Sequence, residues 1–135
     1  MLPQVYQQRY QEFQQALEQL RSQVSQAQID GVTLRTGFLH LQQFFQLQIA
    51  PLDDDLDPVE AQRVRSYNTE IHKQLRLLGM DVSFLQAARQ SITAQQRQRQ
   101  MGDRLETLIG YCQALLVIPS DPDSASGRLE DKPEV

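Results

Sequence analysis

Tryptophan is absent from this chain, cysteine occurs once, and glycine and proline occur six times each in 135 residues. With Cys112 alone, no intrachain disulfide can form, so the fold must stand on its core and a reducing compartment poses no difficulty. Aromatic residues make up only 7% of the chain. β-branched residues are also sparse, which removes the side chains that favour strands. No apolar run approaches the ~20 residues that a membrane span needs. The opening MLPQVYQQRYQ lacks the basic and then apolar regions of a signal peptide, so the expected location is the cytoplasm. The glycines are scattered rather than gathered into a phosphate-cradling loop.

Glutamine, leucine, arginine and alanine fill the space, and all four are good helix formers. The expected fold is all-α, an antiparallel bundle of four helices with a long last helix, occupying residues 1–118 as one domain. The remaining segment, PSDPDSASGRLEDKPEV (119–135), is rich in Pro, Ser, Asp and Gly and should be a disordered acidic tail. The net charge of -4 is unevenly spread. Residues 1–57 carry three arginines against seven acids, whereas residues 58–118 carry eight basic residues against five acids. The tail has two against five. The second half of the bundle is therefore basic and its flanks are acidic.

In chain order, the first helix should begin at Pro3. Tyr6, Tyr10, Phe13, Leu17, Leu20, Val24 and Ala27 alternate in steps of four and three, an apolar seam suited to bundle packing. The same seam would serve a homodimeric coiled coil if the chain self-associates. Asp30-Gly31 punctuates the chain, with Thr33 a cap for the second helix, whose face runs Leu34, Phe38, Leu41, Phe45, Gln48. Pro51 ends it, and PLDDDLD follows as a solvated acidic connection. Asp57-Pro58-Val59-Glu60 is a strong helix start: a carboxylate cap, a proline where its missing donor is harmless, and a glutamate placed for a capping box. Val64, Tyr67, Ile71, Leu75 and Leu78 form the third stripe, with Arg65, His72, Lys73 and Arg76 on a basic solvent face. Gly79 and Asp81 predict a turn at 79–81 and a fourth helix from 82 to 117. Val82 and Leu85 nevertheless continue the third stripe nearly in phase, as an unbroken helix would. The predicted last helix, ~54 Å long against ~37 Å for the first, should overhang the bundle. Its stripe is read as Phe84, Ala88, Ser91, Gln95, Gln98, Gly102, Leu105, Ile109, Cys112 and Leu116.

Chemistry is thinly represented. His40, His72 and Cys112 lack the paired spacing of zinc ligands, and Cys112 reads as a small buried hydrophobe. The aspartates of PLDDDLD lack the glycine and distal glutamate of a calcium loop. No catalytic signature is present, and neither metal nor cofactor is expected. The one patch that suggests binding is Arg89, Arg97 and Arg104, spaced by eight and seven residues, with Arg99 nearby. On one helix they would form a guanidinium row opposite the apolar stripe, suited to an acidic protein partner because arginine pairs bidentately with carboxylates. Nucleic acid is the alternative partner, disfavoured by a pI near 5.1 and by the lack of interleaved aromatics.

At VRSYNTEIHKQLRLLGMDVSFLQAARQ and RLETLIGYCQALL, and more loosely at FLHLQQFFQLQI, the sequence resembles the cyanobacterial heterocyst-frequency control family, PatD-like. The resemblance covers roughly residues 34–116. It implies a small non-enzymatic regulator that limits heterocyst frequency and acts on cell division by binding the tubulin-like protein FtsZ and modulating its assembly.

Overall fold

Pro3 precedes the first helix, α1 (Gln4–Val24), and all of its predicted seam through Val24 is buried; Ala27 lies past the helix end and is exposed. The computed structural model describes residues 2–52 and 56–117. Helix α2 (Gly31–Phe44) runs directly into a π-helical segment, Phe45–Ile49, and is followed by α3 (Pro58–Ala87) and α4 (Ser91–Leu116). Among the described residues there are no strands, and the chain is an all-α antiparallel four-helix bundle. Each helix packs on its neighbours in chain order and α4 closes back on α1, so that the first and last helices share the most extensive seam. None of the described helices is long and apolar enough to cross a membrane. The acidic positions 53–55 and the tail lie outside the described residues.

Local chemistry explains the helix starts. Asp57 caps α3, its carboxylate accepting from the Glu60 amide at 2.8 Å, with Pro58 in the first turn. Asp30, rather than Thr33, caps α2: it accepts from the Val32 amide at 3.2 Å and from the Thr33 hydroxyl at 2.6 Å. In the π segment the Ala50 amide donates to the Phe45 carbonyl at 2.8 Å, one residue further back than in an α-helix. That widened turn brings Ile49 into the core and turns Gln48 outward. Phe13 of α1 stacks on Phe44 with ring centroids 6.1 Å apart and meets Phe45 at 6.0 Å. On the opposite seam Tyr67 and Tyr111 meet edge to face at 5.7 Å.

The predicted turn at 79–81 does not occur: α3 continues through it to Ala87. Leu75, Leu78 and Val82 are buried in one phase, and that burial outweighs the ~1 kcal/mol by which glycine is inferior to alanine in a helix. Gly79 instead admits Phe38 of α2, whose ring would lie 2.8 Å from a Cβ at this position. Helix α4 is accordingly 26 residues long, shorter than the 30 of α3. Its core face is Met101, Leu105, Leu108, Ile109, Cys112 and Leu115. The predicted stripe therefore held Leu105, Ile109 and Cys112 but missed Met101, Leu108 and Leu115, whereas Phe84 belongs to α3 and is exposed.

Two outcomes follow from this core. Leu75 is buried and Lys73 exposed. Leu75→Ala should therefore cost ~2–5 kcal/mol in urea melts and Lys73→Ala under ~0.5 kcal/mol; equal losses would mean the faces are misassigned. Burial pushes the Cys112 thiol up to about 12 and raises the Tyr10 hydroxyl as well. Above pH ~8.5 the unfolded thiol ionises while the folded one stays protonated. Stability that is complete below that pH should fall as pH rises toward the folded value, by at most ~1.4 kcal/mol per pH unit from this group. Melts at increasing pH should show the fall, and Cys112→Ala should lessen it.

Candidate functional site

The four arginines read from the sequence as one row occupy three environments. Arg89 stands in the short connection between α3 and α4, not on a helix. That connection carries neither glycine nor proline: Ala88 and Gln90 turn extended, with ψ of 131° and 138°. Arg97 and Arg104, seven residues apart, flank the α4 core face on the side of α3, whereas Arg99 points away from them, toward α1.

Arg97 and Arg104 converge on Asp81 of α3. Arg104 Nε donates to one carboxylate oxygen at 2.5 Å, and Arg97 Nη1 lies 3.6 Å from the other. Asp81 is 2% exposed, so its charge depends on these two partners. The Arg97 guanidinium also covers the ring of Phe84 at 4.5 Å, a cation–π contact that shields part of an aromatic side chain left 46% exposed. Arg97 and Arg104 therefore join α3 to α4. A role in docking, as read from their spacing, would have to compete with this internal pairing.

Among the described residues Arg89 and Arg99 make neither an ion pair nor a hydrogen bond, and both are exposed. Arg99 lines a shallow polar groove between α1 and α4 together with Arg21, Asp103 and Glu106, a surface of mixed sign. The α2 and α3 side is different. Arg35, Arg65, His72, Lys73 and Arg76 are all exposed there, as the sequence predicts for the α3 members, and exposed apolar side chains lie among them: Val32, Leu39 and Met80. At the tip, where α3 turns into α4, Phe84 and Ile92 (62% exposed) flank Arg89 in sequence.

The predicted ligand candidates do not meet. His40 and His72 are exposed on α2 and α3 while Cys112 is buried in α4, and no described group of three His, Cys, Asp or Glu residues is placed to hold a metal ion. Asp81, two residues after Gly79, reads in the sequence as part of a turn. Its pairing is legible only from the correct phase of α4, where Met101, Leu105, Leu108, Cys112 and Leu115 alternate in the same steps of four and three as α1. Comparison with protein-family models, curated proteins and solved structures finds no match for this chain.

Asp81→Ala should destabilise the bundle by about 2–3 kcal/mol, less than the ~3–5 kcal/mol typical of breaking a fully buried pair. The reason is that Arg97 and Arg104 keep 35% and 19% side-chain exposure and regain water when released. Arg89→Ala and Arg99→Ala should each stay within ~0.5 kcal/mol of wild type in the same melts. Comparable losses for all three would show that the clamp does not carry the α3–α4 seam.

Proposed function

We propose that this chain is a non-enzymatic regulator that acts by binding another protein. FtsZ as partner, and heterocyst frequency and cell division as the processes controlled, are supplied by the family resemblance over residues 34–116. Support for binding comes from one observation: exposed apolar side chains and cations border the same α2–α3 seam. Val32 and Leu39 lie exposed beside Arg35 on α2, and Arg76 stands on the α3 wall of the same seam, with Lys73 and Met80 exposed on α3. Arginine and aromatic side chains together are the residues that dominate protein interfaces. The α1–α4 groove, by contrast, carries Arg21 and Arg99 among the acids Asp103 and Glu106.

Of the four arginines in the predicted row, Arg89 is exposed at the α3–α4 connection and belongs neither to the Asp81 clamp nor to the α1–α4 groove, which leaves it free for a partner. Purified FtsZ should bind the chain saturably and change its assembly measured by light scattering. Arg89→Glu should weaken binding about threefold or more, mainly through a slower association that is sensitive to salt, and Arg99→Glu should leave it within about twofold. Absence of FtsZ binding at low and moderate salt would overturn this partner. Binding to duplex DNA that collapses with salt would favour a nucleic-acid regulator instead.

A further inference from the structure

The seam between α2 and α3 is the thinnest of the four, and it is not filled. Three depressions follow one another along it, of about 670, 240 and 130 Å³. The first is bordered by Val32 and Leu39, the second has Phe38 and Val82 at its base with Gly79 and Ser83 along α3, and the third lies between Phe45 and Leu75. Gly79 is central to this shape, since any side chain there would meet the Phe38 ring and push the seam apart. From Val32 to Gln46 the groove follows 15 residues of α2 and the π segment, a rise of ~21 Å, about four turns of helix.

Among the described residues that line it, the charged side chains are basic with one exception. Arg35 stands on the α2 wall and Arg76 on the α3 wall, and Lys73 and Arg65 continue the positive surface on the exposed face of α3. The exception, Asp30, the one carboxylate among the described lining residues, is turned to its own helix: hydrogen bonds from the Thr33 hydroxyl and the Val32 amide hold it below the usual carboxylate range. Apolar hollows at helical spacing with cations on both walls suit an amphipathic helix whose exposed flanks are acidic. We infer that the α2–α3 groove docks an acidic amphipathic helix of a partner protein, its apolar face over Leu39, Phe38 and Val82 and its carboxylates on Arg35 and Arg76. A flat anionic membrane would meet the cations but leave the hollows unfilled. The inference deepens the proposal that the chain binds a protein, and it does not depend on that protein being FtsZ.

The test uses the full chain and two fluorescent 18-residue helical peptides, both with leucine at i, i+3 and i+4 positions. One carries glutamate at the remaining sites and the other lysine. The acidic peptide should bind saturably by anisotropy and the lysine peptide should not. Arg35→Glu combined with Arg76→Glu should weaken the acidic peptide by about tenfold or more. Ser83→Trp, which fills the central hollow without changing charge, should weaken it to a similar degree. Both variants alter exposed positions, and circular dichroism melts would confirm that they fold. The inference fails if the acidic peptide does not bind, if the double variant and Ser83→Trp bind it like wild type, or if the chain sediments with phosphatidylglycerol vesicles while ignoring the peptide. If FtsZ binds and is indifferent to the Arg35/Arg76 reversal, the groove assignment falls while FtsZ binding stands. If the acidic peptide binds in the groove and FtsZ does not bind at all, the groove stands and FtsZ is the wrong partner.

Discussion

A buried carboxylate sets the register of this bundle. Asp81 sits on the inner side of α3, and its two oxygens are met by arginines one heptad apart on α4. An apolar seam alone tolerates sliding, because leucine against leucine is nearly as favourable one turn along. A charge withdrawn from water is not so forgiving, since any shift that separates Asp81 from Arg104 leaves it without compensation. The same pairing continues down the seam, where Tyr111, seven residues after Arg104, meets Tyr67. At the far end Arg63 donates to the Ala114 carbonyl. Helices α3 and α4 are thereby held in one alignment along their length, and the α2–α3 seam is left as the less occupied side.

Much of the architecture is legible in the sequence because it rests on periodicity. The seam of α1, the stripe of α3 and the cap at Asp57 are local patterns, and each lies where spacing places it. The boundary between α3 and α4 is not legible in this way. Gly79 and Asp81 have the residue types of a helix end, yet both answer to tertiary partners: Phe38 in one case and two arginines in the other. The real break, at Ala88 to Gln90, bears no punctuation. Placing the turn nine residues early also shifted the reading of α4 by a fraction of a turn. That shift was enough to assign Arg97 and Arg104 to the outer face.

The α2–α3 groove was legible only in part. A basic solvent face around Lys73 and Arg76 follows from the third stripe, but nothing in α3 alone shows that α2 lies beside it with Arg35 and no carboxylate in its helix. Nor does spacing reveal that a glycine and an aromatic ring on different helices combine to leave hollows between them. Charge pattern identifies a face, whereas shape belongs to a pair of helices.

The pairing of the first helix with the last has a consequence during biosynthesis. The carbonyls of Val24 and Gln26, at the end of α1, are closed by the side chain of Gln98, 74 and 72 residues further on. At a translation rate of ~5–20 residues per second, α1 emerges several seconds before the helix that covers it. Throughout that interval its run of Tyr6, Tyr10, Phe13 and Leu17 has no permanent neighbour on the α4 side. The nascent chain thus carries a glutamine-flanked apolar seam that α4 does not yet cover, and a chain that ends before Gln98 lacks the side chain that closes the end of α1.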